Sequence, residues 1–203
     1  MSIADRYDLK LYQRLLPKME ELCRSAFTEI GCHGWEHVLR VRRLASVIGD
    51  REGGNLAIID VAALFHDTMR LDEDHALRSA EFASTTLSTW GFSRPFIEGV
   101  SEAIACHSYS AKRGAGSIEA KALADADRLD AMGAMGVYRT IQYNLENGYH
   151  AERVAEHIRD KLLKLEPLLY TETAKAMARG RSEILSIYLE ALEEELFDAR
   201  SSK

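Results

Sequence analysis

Cysteine is scarce in this chain and follows no pattern. Cys23, Cys32 and Cys106 are odd in number and form no Cys-x-x-Cys pair. That excludes a disulfide framework and a thiolate zinc knuckle and fits a reducing cytoplasm. Proline is equally sparse, at three residues, and an apolar share of 46% beside a charged share of 29% excludes a disordered chain. No apolar run reaches the roughly 18 residues of a membrane span. Asp5, Arg6 and Asp8 stand where a signal peptide needs an apolar core, so neither secretion nor a membrane partner is expected. The formal charge of -6 argues against broad electrostatic binding to polymeric nucleic acid, and leaves room for a local basic pocket and a small anionic substrate. Alternating strand patterns, a GxGxxG fingerprint, a phosphate-cradling GxxxxGK and internal repeats are also absent.

What is present is helical periodicity, and the expected class is all-α. A length of 203 residues suits one domain that buries a substantial core without disulfides. Leu11, Leu15, Leu16, Met19, Leu22, Cys23 and Phe27 recur at helical spacing and predict a helix over 7–29, with Pro17 inside it. Val38, Val41, Leu44, Ala45 and Ile48 predict a second over 34–49. A turn containing Gly53 and Gly54 leads to an apolar helix over 56–65, then an acidic connection at 71–74. A helix over 75–90 stops at Gly91. The next is capped by Ser93 with Pro95 in its first turn and runs to His107. The loop 109–116 precedes a helix from about Ser117, and further helices follow over 137–145, 151–165 and 171–200. In the last of these, Glu190, Glu193, Glu194 and Glu195 read as a solvated face.

Chemistry concentrates at the helix ends. The apolar run Ala62-Ala63-Leu64-Phe65 breaks off into His66-Asp67, and His33, His37, His75 and His107 also fall where helices begin or end. His33 and His37 can address one site provided Gly34 does not interrupt the turn. Asp125, Asp127 and Asp130 sit among apolar residues, which is costly unless the carboxylates are paired or bind metal. Imidazoles with carboxylates suit Mn, Mg, Fe, Co, Ni or Zn rather than a thiolate site.

His37-Val38-Leu39-Arg40-Val41, Leu64-Phe65-His66-Asp67 and Ala126-Asp127-Arg128-Leu129, in that order, resemble the H…HD…D signature of the HD-domain superfamily, and most resemble its small bacterial stand-alone members. The resemblance implies a compact multi-helix bundle with a motif core over about 30–140 and a helical extension over 150–200. It implies a divalent cation on His37, His66, Asp67 and Asp127, with Asp127 preferred to Asp125 by its Ala-Asp-x-Leu setting. Asp125 and Asp130 are then structural carboxylates. His33 resembles the histidine that protonates the leaving oxygen in related phosphodiesterases. Arg70 stands where many members carry a cation for phosphate. His75 and His107 resemble the extra ligands of members that bind two metals, or else contact substrate. Lys112, Arg113 and Arg128 are weaker phosphate-binding candidates, and Asp72, Glu73 and Asp74 read as a solvated turn. Gly34 departs from the pattern, because close relatives carry Asp after the first His. The implied activity is hydrolysis of a phosphoester or phosphoanhydride, of a nucleotide above all, by a metal-activated water. A dinuclear iron oxygenase and a non-catalytic nucleotide sensor are the competing readings.

Overall fold

The computed structural model describes residues 3–27, 31–108 and 114–201. Among them there are nine α-helices and no strand, so the chain is all-α as its periodicity predicts. No helix among the described residues is long and apolar enough to cross a membrane. The residues fall into two compact units, 1–127 and 128–203.

The first unit holds α1 (Ile3–Arg24), α2 (Trp35–Glu52), α3 (Leu56–Phe65), α4 (His75–Thr89), α5 (Arg94–His107) and most of α6 (Ile118–Asp130). Helix α3 is its axis and packs against α1, α2, α4 and α5. Its sequence explains this position: Ile59, Val61, Ala62, Ala63, Leu64 and Phe65 are fully buried, and a helix that is apolar all round belongs inside. Each large side chain sealed there contributes roughly 1.5–3 kcal/mol. The Asn55 side chain accepts from the Ala57 and Ile58 amides and starts the helix. The Ser93 hydroxyl accepts from the Phe96 amide, with Pro95 in the first turn of α5, as expected.

Helices of this unit depart from the periodic pattern at their ends. Helix α1 ends at Arg24 rather than continuing to 29, because the Ala26 and Phe27 amides turn back to the Cys23 and Arg24 carbonyls and tighten the last turn. Pro17 lies within α1 on its exposed side, where the Gln13 carbonyl it leaves without an amide can face water. Gly34 is the N-cap of α2, so His33 stands before the helix rather than on it.

The second unit holds α7 (Gly133–Glu146), α8 (Ala151–Asp160) and α9 (Glu172–Ser201), which pack against one another. The predicted helix over 151–165 stops at Asp160 and continues as two 3-10 turns, Leu162–Lys164 and Glu166–Leu168, with Pro167 supplying no amide for an α-turn. At the start of α7, Gly133 has φ +67 and a side chain there would press on Arg181, so only glycine fits. Asp130 is buried and pairs with Arg139 at 2.9 Å, the structural role expected of it. Glu190, Glu194 and Glu195 are exposed, while Glu193 bonds Arg159.

Candidate metal centre

Helix ends in the first unit deliver five imidazoles to one carboxylate. His66 is the C-cap of α3 and Asp67 follows it, while His37 lies in the first turn of α2. His75 opens α4, His107 closes α5 and Asp127 lies in α6. The rings form a chain of edge contacts from His33 to His37, His66, His107 and His75, with centroids 5.1–5.6 Å apart.

Asp67 is the hub, and its two oxygens face two different groups. Oδ2 lies 3.4 Å from His33 Nδ1 and 3.8 Å from both His37 Nε2 and His66 Nε2. Oδ1 lies 3.5 Å from His107 Nε2, 3.7 Å from His75 Nε2 and 3.4 Å from the Arg70 guanidinium. His37 Nε2 is also 3.3 Å from His66 Nε2 and 3.5 Å from Asp127 Oδ1. His37, His66, Asp67 and His107 are buried, and Asp127 is 26% exposed at its side chain.

Backbone carbonyls fix two of the rings. His66 Nδ1 donates to the Ala63 carbonyl at 2.8 Å and His107 Nδ1 to the Ile104 carbonyl at 2.6 Å. Both carbonyls lie in the last turn of a helix. Because a carbonyl only accepts, Nδ1 carries the proton in each ring, so neutral His66 presents its Nε2 lone pair to the cluster, whereas His107 Nε2, when protonated, donates to Asp67.

Such a set fits a divalent cation. Ligand atoms about 2.0–2.2 Å from one ion lie roughly 3–3.6 Å from each other, and the separations above fall in or near that range. Among the described residues, three groups of ligand atoms lie within 4.8 Å of one another: His33 with His37 and Asp67, His37 with His66 and Asp127, and His66 with Asp67 and His107.

The electrostatics agree with this donor set. Burial pushes the Asp67 carboxyl up, but His66, His107 and His33 outweigh it and hold the group well below its usual range. Asp127 is lowered in the same manner, its desolvation overcome by His37, His107 and His66. Burial keeps His66 below its usual value, so its ring stays neutral. Burial also works against a charge on His107, yet the hydrogen bond to Asp67 prevails and raises it.

The remaining candidates are distributed around this cluster or away from it. Arg70 is exposed and its guanidinium lies 3.1 Å from both His33 Nε2 and His75 Nε2. Asp72, Glu73 and Asp74 are exposed, as a solvated turn should be. Asp125 is buried and belongs to none of the three ligand groups. Arg128 is buried with its guanidinium 5.1 Å from the centre of the Tyr170 ring. Lys112 and Arg113 lie outside the described residues.

One set of polar residues behind the cluster escaped the sequence reading. Arg42 on α2 grips Asp60 on α3 with Nε and a terminal nitrogen, both at 2.8 Å, and reaches Glu20 on α1 at 2.8 Å. The Tyr12 hydroxyl donates to Asp60 at 2.9 Å. The available signal was Asp60 itself, a carboxylate inside an otherwise apolar helix.

Known proteins resemble this chain in sequence and in fold. The HD domain family matches residues 34–132. The uncharacterized protein YpgQ of Bacillus subtilis (strain 168) is 33% identical over 181 residues, which cover 84% of this chain and 88% of that relative. The crystal structure of Bacillus subtilis YpgQ in complex with ADP is 31% identical with a TM-score of 0.75, over 88% of this chain and 96% of that one. An HD-superfamily hydrolase from Bacillus thuringiensis is 30% identical with a TM-score of 0.73, over 91% and 98% of the two chains. The chain belongs to the HD-domain superfamily.

Proposed function

We propose that this chain is a metal-dependent phosphohydrolase that cleaves a phosphoester or phosphoanhydride of a nucleotide. The convergence of His37, His66 and Asp127 beside Asp67 carries the reading. The ADP complex of YpgQ supports a nucleotide as the ligand, and the hydrolase naming of the Bacillus thuringiensis relative supports the reaction type.

In this reading His37, His66, Asp67 and Asp127 hold the divalent cation. When bound, the ion supplies Lewis acidity at the phosphoryl group and makes water a stronger acid. Asp67 accepts a hydrogen bond from the attacking water and sets its direction. His33 is held by Asp67 at Nδ1 and its Nε2 accepts from Arg70; once protonated there, with Arg70 turned to the phosphate, it can pass that proton to the leaving oxygen. Arg70, exposed beside His33 and His75, grips phosphate oxygens through its planar fork. His107, Lys112, Arg113 and Arg128 are the further candidates for contact with substrate. The buried walls around His37, His66 and His107 keep bulk water from the reacting centre.

A second reading concerns the number of ions, and the division of the Asp67 oxygens favours it. Oδ1 faces His75 and His107 while Oδ2 faces His33, His37 and His66, an arrangement suited to a carboxylate shared by two cations.

The test is metal analysis of freshly purified protein joined to a nucleotide panel under Mn, Mg, Co and Fe. Hydrolysis that follows metal content is expected, and Asp67→Ala should lose both. Full metal content and full turnover in Asp67→Ala overturns the mechanism. Tight nucleotide binding without turnover identifies a sensor, and oxygen uptake with a mixed-valent iron signal identifies an oxygenase.

A further inference from the structure

Helices α2 and α3 form a hairpin whose connection, Gly53 to Asn55, lies far from the metal centre. His37 is in the first turn of α2 and His66 caps the end of α3, so both ligands sit at the open end of the hairpin. At 1.5 Å per residue the turn lies roughly 20 Å from His37 along α2, too far to fix the ring separation by itself. Between the connection and the open end stands the Arg42–Asp60 pair. Arg42 is little more than one helical turn beyond His37, and Asp60 is less than two turns before His66. The two parallel hydrogen bonds at 2.8 Å fix the angle as well as the spacing of guanidinium and carboxylate.

Stability is a weak explanation for this pair. The side chains of Arg42 and Asp60 are only 15% and 12% exposed. Desolvating a charge pair to this degree often cancels its attraction, and well-packed apolar replacements are often as stable. A geometric purpose is the better attested one, and here the pair is held from outside as well: the Asp60 oxygen that meets the Arg42 terminal nitrogen also accepts from Tyr12, and Glu20 holds the remaining Arg42 nitrogen. The pair is therefore oriented from α1 and cannot rotate freely.

We propose that Arg42 and Asp60 are positioning residues that set the register of α2 against α3 and thereby the 3.3 Å separation of His37 Nε2 from His66 Nε2. The consequence for metal affinity rests on the reading of those histidines as ligands. The consequence for ring separation does not.

The experiment compares wild type with Arg42→Lys, which keeps the charge and loses the fork, and with the apolar pair Arg42→Met/Asp60→Leu. Thr171→Ala serves as the control, because the Thr171 hydroxyl caps α9 by accepting from the Ala174 amide. Mn affinity is measured by calorimetry, fold by thermal melting, and ring proximity by the cross-peak between the His37 and His66 ring protons in chelator-treated protein. Arg42→Lys and the apolar pair should weaken Mn binding about tenfold, the scale seen when partners that orient metal ligands are removed, and both should weaken the cross-peak. The apolar pair should do so while melting no lower than the control, which keeps wild-type affinity. Unchanged cross-peak and unchanged affinity in Arg42→Lys overturn the proposal. A weakened cross-peak in a protein whose wild type takes up no divalent ion supports the clamp and overturns the metal reading.

Discussion

The Asp67 carboxylate stands 3.5 Å from His107 Nε2, joining the residue after the C-cap of α3 to the last residue of α5. Asp67 therefore serves both halves of the imidazole chain. Replacing it with Asn keeps the volume and removes the charge that faces five imidazoles and Arg70. Asp67→Asn is expected to bind divalent metal at least roughly 10–100-fold more weakly, a loss as large as that from removing a partner that only orients a ligand. Elemental analysis after gel filtration measures it, and stoichiometric metal in the variant contradicts the assignment.

Arg70 reaches Asp67, His33 and His75 from an exposed position, and the proposed function gives it a phosphate of the substrate to bind rather than a part in folding. Arg70→Gln should raise KM for a hydrolysed nucleotide by about tenfold, the scale of one charge-assisted hydrogen bond. The melting temperature should stay nearly constant. A variant with wild-type KM would remove Arg70 from the substrate site.

His75 carries a pH signature of its own. Burial, aided by Arg70 and His107 and opposed by Asp67, pushes it down from 6.5 to about 4. A histidine whose folded value is depressed adds stability above its unfolded value and loses it as the pH falls through the folded one. In chelator-treated protein the His75 ring signal should stay that of the neutral form from pH 8 to 6 and titrate near 4. A midpoint at 6.5 contradicts the buried setting.

Asp8 on α1 is buried and accepts the Ser93 amide at 2.9 Å together with the Ser93 hydroxyl, tying α1 to the start of α5. Asp8→Ala leaves both donors without this acceptor and should cost about 1–3 kcal/mol of stability. Chemical denaturation measures the loss, and a variant as stable as wild type argues that water replaces the carboxylate.

Cys23 is fully buried, and its enclosure pushes the thiol up to about 12 against the opposing pull of Arg42. It should resist iodoacetamide at pH 8 in the folded protein and react after denaturation. Mass spectrometry of the labelled peptides decides this.

Much of the fold follows from local rules that the chain states openly. Asn55 and Ser93 cap helices because their side chains accept from amides within the next turn, and Leu56–Phe65 is interior because it has almost no polar face. The ends of α1 and α8 were not legible, since each depends on whether a last turn tightens into 3-10 geometry. His33 is instructive: Gly34 does interrupt the helix, yet Asp67 still draws the ring to within 3.4 Å from the preceding turn.

By itself the sequence determined the all-α class, the family pattern and the residue types at the helix ends, because periodicity, caps and short motifs are written in neighbouring residues. Only the tertiary structure decided that five imidazoles share one carboxylate, that Asp67 divides its oxygens between two groups, and that Arg42 locks onto Asp60 behind them. Those are contacts between residues far apart in the chain, fixed by how α3 packs among its neighbours.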